Sequence, residues 1–305
     1  MPSPPTGAQH EIRAGLHRAV VTEVGATLRG YEHDGRPVVA GFDIGRHSTG
    51  GRGQLLAPWP NRIRDGRYRF DGREHQLPLD EPALRNAIHG LVRWASWTVT
   101  SASDHTVTLA HTIFPRTGYP FLLRLQATYR VDEESGLSVS LGAHNDGEER
   151  CPFAVGAHPY LTVGPGPVDD WILELGAGTR LVTDERSIPI GREAVTRTDA
   201  DFRSPRRIGP SVLDTCFTDL VRDDVGLTRV RVSAANGSSG ATVWADERFP
   251  FVMVFSGDTL PELERRGSLA IEPMTAAPDA FRSGDGLVEL APGQTFRGTW
   301  GITPS

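Results

Sequence analysis

Residues 123–144 read LRLQATYRVDEESGLSVSLGAH, and their pattern is the strongest indication of fold class in the chain. Apolar and polar residues alternate from 123 to 131 and again from 137 to 143. A period of two is typical of a β-strand with one buried face and one face in water. The intervening residues 132–136, DEESG, have the composition of a hairpin loop. We therefore predict an antiparallel strand pair in this stretch.

Short β-prone runs separated by Gly, Pro, Asp and Asn make up most of the remaining chain. Asp34-Gly35 and Asp71-Gly72 are hairpin-turn signals between such runs. No window supports a helix of three turns, because Pro, Gly and β-branched residues interrupt each one. Many short strands without alternating helices indicate an all-β fold, a large antiparallel sandwich or barrel. Further strands are expected at residues 19–24, 27–32, 37–40, 68–70, 75–77, 106–113, 171–175, 216–221, 228–232, 241–245, 251–256, 268–271 and 295–302.

The domain organisation follows from composition and from the absence of internal repeats. The first nine residues are rich in proline, and we predict a disordered tail over residues 1–11. Residues 198–211 and 234–240 have the composition of loops rather than of domain linkers. We therefore expect residues 12–305 to form a single domain, since all-β domains often exceed 200 residues.

Charge and composition exclude several classes of protein. The net charge of −6 and the pI near 5.9 do not fit a nucleic-acid-binding surface. All 32 basic residues are arginines, so enzymes that need a Schiff-base lysine or a Walker A lysine are excluded. A GC-rich genome is the simplest explanation for this bias.

The cysteines and the hydropathy pattern bear on the compartment. The two cysteines, Cys151 and Cys216, cannot build a disulfide framework or a four-cysteine zinc site. The first 20 residues lack an apolar signal-peptide core, and no run reaches the ~18 apolar residues of a membrane span. We expect a cytoplasmic protein without a membrane partner.

Residues 153–161, FAVGAHPYL, place a histidine at the end of a β-prone run. Pro159 biases His158 toward an extended backbone, which would aim the imidazole into a cleft in one orientation. Histidine exchanges protons near neutral pH, so His158 is a candidate acid or base. The commoner outcome for a lone histidine is a hydrogen-bonded position in the core, so the case depends on what else the chain supplies.

Two further motifs carry polar groups suited to hydroxyls. Pro58-Trp59-Pro60 would fix a loop that presents Asn61 and Arg62, whose amide and guanidinium groups bind hydroxyls and ring oxygens. The alternative is an ordinary surface turn. His89 is followed by a glycine that would allow close approach, although this short motif is weak alone.

Two acidic residues complete the set of candidates. Asp214 enters a strand between apolar neighbours and is either a turn cap or an acceptor for a hydroxyl. Glu272 ends an apolar strand before Pro273, where partial desolvation would raise its pKa toward that of a useful base. The alternative is an edge glutamate paired with an arginine. Asp279 is expected to be a cap within the following loop.

Together these motifs resemble the aldose 1-epimerase (galactose mutarotase) family over residues 12–302. The order and spacing match, and the combination of His-Pro-Tyr with Glu-Pro-Met-Thr is specific. The motifs are Asn61-Arg62-Ile63, Asn86-Ala87-Ile88-His89-Gly90, His158-Pro159-Tyr160, Leu213-Asp214 and Ile271-Glu272-Pro273-Met274-Thr275.

The resemblance implies a single-domain β-sandwich of the galactose mutarotase type with little helix. It also implies interconversion of the α and β anomers of an aldose, with Glu272 as general base and His158 as general acid. Arg62, His89 and Asp214 match residues that hold the sugar, and Asn61 is expected to help. The expected partner is a free monosaccharide, bound by a monomer or homodimer without a cofactor or metal.

The residue types suit this chemistry, since a carboxylate and an imidazolium on opposite sides of a hemiacetal can open and close its ring. The approach to Asn61, residues 56–60 (LAPWP), looks closer to a bacterial subgroup that includes sulfoquinovose mutarotases, so the aldose is left open. Two alternatives stand: a glycoside hydrolase with Asp214 and Glu272 as paired carboxylates, and a non-catalytic sugar-binding module on the same fold.

Overall fold

The computed structural model describes residues 3–305, which form strands joined by short loops. One short α-helix, α1 (Ala280–Ser283), and a 3₁₀ turn at Val168–Asp170 interrupt them. The strands are β1 (Gln9–Ala14), β2 (His17–Thr22), β3 (Leu28–His33), β4 (Arg36–Val39), β5 (Leu55–Leu56), β6 (Arg62–Arg64), β7 (Arg67–Phe70), β8 (Arg73–Gln76), β9 (Asn86–Ile88), β10 (Thr98–Ala102), β11 (Thr106–Ile113), β12 (Leu123–Asp132), β13 (Gly136–Asn145), β14 (Cys151–Phe153), β15 (Gly156–Ala157), β16 (Tyr160–Leu161), β17 (Ile172–Leu175), β18 (Ala177–Thr183), β19 (Pro189–Ala194), β20 (Arg206–Arg207), β21 (Asp214–Leu220), β22 (Thr228–Ser233), β23 (Gly240–Ala245), β24 (Phe251–Phe255), β25 (Leu269–Met274), β26 (Val288–Leu290) and β27 (Thr295–Pro304).

Two large antiparallel sheets contain most of these strands. The first has twelve strands in the order β1-β2-β3-β4-β16-β25-β24-β21-β18-β19, with β15 and β5 attached beside β25. The second has nine strands in the order β10-β11-β12-β13-β27-β23-β22-β17-β20. Three two-stranded ribbons, β14-β26, β6-β9 and β7-β8, lie outside them.

The hairpin predicted from residues 123–144 is confirmed. β12 and β13 pair in one unbroken register from Leu123↔Asn145 to Asp132↔Gly136. The apolar residues of β12 are buried, while their neighbours are exposed or half-buried. The buried face belongs to a hydrophobic cluster that fills the space between the two large sheets. This packing makes the fold a sandwich.

Each of the other predicted strands overlaps an observed one, and no described helix exceeds one turn. Sequence reasoning missed β18 and β19 entirely. The predicted tail is wrong from residue 9 onward, because β1 begins at Gln9 and pairs with β2. Before it, the Thr6 and Ala8 carbonyls accept hydrogen bonds from Val24 and Glu23. Residues 1 and 2 lie outside the described part, and a single domain over 12–305 stays a prediction.

Within residues 3–305, none of the helices has the length and apolar character needed to cross a bilayer.

The sheets are also joined by a buried hydrogen bond, which gives a test of the packing. The Tyr129 hydroxyl on β12 donates to the Ala26 carbonyl just before β3, at 2.6 Å. We expect Tyr129→Phe to lower the free energy of unfolding by about 1–2 kcal/mol, because the buried carbonyl loses its partner. Urea denaturation measures this. Ser138→Ala on the wet face of the same hairpin is the control and should cost less than about 0.5 kcal/mol; equal losses would contradict the interpretation.

Candidate active site

One cavity holds every residue that the sequence analysis selected as a site candidate. Its volume is about 480 Å³, within the ~300–1,000 Å³ usual for small-molecule sites. It lies on the twelve-stranded sheet, and residues 48–51, 80–94 and 259–261 contribute loops to its wall. The six candidates that line it are Asn61, Arg62, His89, His158, Asp214 and Glu272.

Strand β25 determines which way Glu272 points. Leu269 and Ile271 belong to the core between the sheets. Successive side chains of a strand alternate between its faces. Glu272 and Met274 therefore project from the opposite face, on which the cavity lies. Met274 packs there in an apolar cluster that includes Met253, the residue paired with Glu272 on β24. Glu272 is 2% exposed, so its carboxyl group is almost entirely removed from bulk solvent.

The prediction that the strand ends at Glu272 is wrong, since β25 runs on through Pro273 to Met274. Proline breaks a sheet when the missing N–H removes a ladder hydrogen bond. Here the backbone N–H groups of Ile271 and Thr275 donate to the carbonyls of Pro159 and Val155, on the edge of the strand that faces β15 and β16. The nitrogen of residue 273 faces that same side, where those two short strands are interrupted, so proline is tolerated.

His158 lies in this interruption, directly opposite Glu272. Gly156 pairs with Met274 and Tyr160 pairs with Ala270. Both pairs belong to one antiparallel register, which places residue 158 opposite residue 272. Directly opposed residues of antiparallel strands have Cβ atoms roughly 4.5–5.5 Å apart on one face. The acid and the imidazole are thus a cross-strand pair.

The two side chains touch, with His158 Nε2 at 3.3 Å from Glu272 Oε1. This corrects the expectation that they stand on opposite sides of the substrate: they lie side by side in one wall. In the part of the chain that the structure describes, His158 Nδ1 and Glu272 Oε2 are buried without a hydrogen-bond partner.

Burial controls the protonation of the pair. It lowers the pKa of His158 to about 3; the residue's own backbone opposes this shift, and the nearby Arg52 and Arg93 charges add to it. It raises the pKa of Glu272 well above its ordinary value, helped by the Asp214 charge and opposed by Arg62. Both shifts favour the uncharged forms, so that one titratable proton lies on the pair and is held by the carboxyl group.

Arg62 presents one end of its guanidinium group to the cavity. Its Nε lies 2.9 Å and its Nη2 3.0 Å from the two carboxylate oxygens of Glu81. The remaining nitrogen, Nη1, is 3.9 Å from Asp214 Oδ2. Asp214 begins β21, and within residues 3–305 its side chain makes no turn-capping hydrogen bond. The two groups face the cavity as a donor and an acceptor.

His89 is held in one tautomer by the neighbouring loop. Its Nδ1 accepts a hydrogen bond from the backbone N–H of Asn61 at 3.2 Å, so Nε2 carries the proton. Burial lowers the pKa of His89 well below its usual value, and the neighbouring His158 ring and the Arg93 and Arg62 charges act in the same direction, which keeps His89 neutral. A Cβ at Gly90 would lie 2.0 Å from the Ala57 carbonyl, so the glycine does permit a close approach.

Asn61 and Asp279 serve the backbone. Asn61 Oδ1 accepts from the Arg62 N–H at 3.0 Å. Asp279, predicted as a cap, is the N-cap residue of α1, yet its carboxylate accepts from the Arg64 N–H at 2.9 Å instead of capping the helix.

Sequence reasoning missed several residues in the cavity wall, among them Asp80, Glu81, Arg93 and Trp94. Consecutive carboxylates hold the two arginines: Asp80 accepts from Arg93 Nη2 at 2.8 Å, and Glu81 binds Arg62. The available signal was the acidic doublet a few residues before Asn86. Nothing in it indicates which arginine each carboxylate binds.

A second groove of about 520 Å³ lies beside the cavity and contains none of the predicted site residues. The two share the wall residue Thr49. Among residues 3–305, no three His, Cys, Asp or Glu side chains are grouped so as to hold a metal ion.

Comparisons with known proteins agree with the resemblance seen in the sequence. The aldose 1-epimerase family model matches residues 9–303. The uncharacterized protein YihR of Escherichia coli K12 is 32% identical over 292 residues, covering 96% of this chain and 92% of that protein. Maltose epimerase of Levilactobacillus brevis is 31% identical, covering 89% of this chain and 86% of its own.

The crystal structure of a GalM/aldose epimerase homologue from C. elegans superposes with a TM-score of 0.87, at 20% identity, over 98% of this chain and 99% of that one. At this identity the likeness concerns the fold. The predicted all-β sandwich of the galactose mutarotase type is confirmed by it.

The neutral state of His158 can be tested through stability. An unfolded histidine titrates near pH 6.5, whereas folded His158 has a pKa of about 3. As the pH falls below 6.5, the unfolded chain therefore takes up a proton that the folded chain does not. We expect the stability of the wild type relative to His158→Gln to drop by about 2 kcal/mol between pH 7 and pH 5.

Urea denaturation at a series of pH values measures this difference. His105→Gln, at an exposed position, is the matched control for the substitution itself. A difference between wild type and His158→Gln that does not change with pH would mean that folded His158 already carries a proton, as an ion pair with Glu272.

Proposed function

The chain belongs to the aldose 1-epimerase family, and we propose that it interconverts the α and β anomers of a free aldose, with Glu272 as base and His158 as acid. The observation that carries this proposal is the buried cross-strand contact between these two side chains in the sugar-sized cavity. Membership of the family supports the reaction class, and the geometry supports the roles.

The directions of the pKa shifts suit these roles. A carboxyl group whose pKa is raised is a stronger base once ionised, and an imidazolium whose pKa is lowered is a stronger acid. The neutral pair and the ion pair contain the same single proton. In the reactive form that proton has moved from Glu272 to His158, and the Arg62 charge beside Glu272 favours the ionised carboxylate.

The reaction then balances without any further group. Glu272 takes the proton of the C1 hydroxyl while His158 gives its proton to the ring oxygen, and the bond between C1 and that oxygen breaks. The aldehyde turns about the C1–C2 bond, and the reverse transfers close the ring on its other face. Both oxygens are bonded to C1, so two adjacent side chains can reach them, and neither metal nor nucleotide is required.

Three neighbouring groups are suited to hold the sugar. Arg62 Nη1 and the His89 Nε2–H are donors whose other atoms are already fixed by Glu81 and Asn61. The Asp214 carboxylate is an acceptor at the same wall. We assign Asn61 to supporting Arg62 and His89 rather than to a direct sugar contact. Donors fixed before the substrate arrives stabilise charge on its oxygens at little reorganisation cost.

Anomer-exchange NMR over a panel of aldoses tests both activity and substrate. The panel includes galactose, glucose, maltose and sulfoquinovose, because the relatives and residues 56–60 leave the sugar open. Release of reducing sugar from an aryl glycoside would favour a hydrolase. Saturable sugar binding without faster exchange would favour a binding module.

Removal of the base should abolish most of the rate. We expect Glu272→Gln to lower kcat by ~10²–10⁴-fold, the usual contribution of a general acid or base. Polarimetry on freshly dissolved α-anomer measures it. Glu262→Gln at the exposed loop beside the cavity is the matched control and should leave kcat unchanged. A wild-type rate in Glu272→Gln would remove this residue from the mechanism.

A further inference from the structure

Arg52 is a buried cation that the proposed acid–base chemistry does not use. The residue is 5% exposed and lines the second groove rather than the sugar cavity. Its Nη2 lies 2.9 Å from Glu264 Oε2, and its Nη1 donates to Ser268 Oγ at 3.2 Å. Burying a cation costs desolvation free energy that pairing offsets only in part. A position that keeps such a charge calls for an explanation.

One aromatic ring, that of Tyr160, lies between the Arg52 guanidinium group and the catalytic pair. The central carbon of the guanidinium group lies 4.2 Å from the centroid of the Tyr160 ring. The Tyr160 ring in turn stacks on the His158 ring, with centroids 4.9 Å apart and planes inclined by 12°. Tyr160 is fully buried and its hydroxyl donates to the Gly50 carbonyl at 2.8 Å, so the ring cannot turn away.

The chain segment that contains Arg52, residues 48–54, also contacts His158 directly. A Cβ at Gly51 would lie 2.7 Å from His158 Cδ2, so this backbone is packed against the imidazole. The backbone N–H of His158 donates to the Gln54 carbonyl at 3.0 Å. Ser48 Oγ donates to the Arg52 carbonyl at 2.8 Å and closes the segment on itself. Arg52 anchors this segment to the Glu264–Ser268 loop.

Several other groups act on the pair and must be counted beside Arg52. His89 contacts His158 edge-on, at 5.4 Å between ring centroids. The Arg93 charge acts on His158, and the Arg62 and Asp214 charges act on Glu272. Each of these groups lines the cavity, where a sugar would meet it. Arg52 differs because it lies behind Tyr160.

We propose that Arg52 is a positioning residue for the acid–base pair, holding the His158 ring against Glu272 through Tyr160 and keeping a positive charge beside it. This inference rests on the proposed function. Two consequences follow. Loss of Arg52 should impair turnover more than sugar binding, and loss of its charge should shift the pH range in which the pair holds one proton.

The test is the pH profile of kcat/KM for anomer exchange, whose limbs report ionisations of the free enzyme. Arg52→Met keeps an unbranched apolar stem and removes both the charge and the planar guanidinium group. A nearby positive charge opposes proton uptake, so both limbs should move to higher pH, by roughly 0.5–1 pH unit. We expect kcat to fall by about tenfold and KM to change by less than about threefold, since Arg52 touches no substrate.

Glu264→Gln should shift the limbs of the pH profile in the opposite direction. It leaves the Arg52 charge without its carboxylate partner, so the limbs should move to lower pH, by less than in Arg52→Met because Glu264 is partly exposed. Arg52→Lys keeps the charge without the planar stacking group and should lower kcat with the limbs near their wild-type positions. Arg46→Met, at an exposed arginine of the same groove, should match wild type.

Reduced activity of Arg52→Met with both limbs unmoved would make Arg52 merely structural and overturn the proposal, as would a wild-type kcat. An inactive wild type on every sugar would instead overturn the proposed function. In that case the ring ¹⁵N shifts of His158 still test Arg52, because Arg52→Met should protonate His158 at a higher pH than wild type does. An unchanged His158 titration would overturn the inference independently of activity.

Discussion

The register between β25 and the interrupted strand β15–β16 is the constraint on which the site depends. It sets Glu272 and His158 opposite each other on the cavity face, where burial favours neither charged form. A slip of one residue would send one side chain into the core between the sheets. The pairing of Gly156 with Met274 and of Tyr160 with Ala270 prevents that slip. Hydrogen bonding between strands therefore positions these two side chains, whereas in many active sites loops position them.

How far the sequence predicts this architecture depends on whether a strand has a wet face. β12 and β13 were predictable because one face meets water and the alternation is complete. β18 and β19 contain glycine, arginine and proline among few apolar residues, so their pairing is stabilised by neighbours that the pattern does not reveal. The N-terminal strand was hidden by the preceding prolines, although Gln9 pairs with Thr22.

The candidate site, too, was predictable only in part. His158, Glu272 and the other candidates were predictable because short motifs carry them, and all of them reach one cavity. The side-by-side placement of the pair was not, because it depends on a register between segments far apart in the chain. Arg52 and Arg93 were not predictable either, since an arginine acquires a role only from its tertiary partner. Glu264 and Asp80, which supply those partners, carry no motif of their own.

The proposed chemistry and the proposed sugar recognition accordingly depend on different parts of the fold. The pair proposed to transfer protons belongs to adjacent strands of the twelve-stranded sheet, with Tyr160 behind it. The two arginines of the cavity wall, Arg62 and Arg93, are instead held by the doublet Asp80-Glu81 in a connecting segment. Loops tolerate substitution and insertion better than central strands do. Under the proposed function, changes in residues 80–94 would alter which aldose is held while the register beneath them would preserve the reaction. For this reason family membership supports the reaction class more closely than it supports any one sugar.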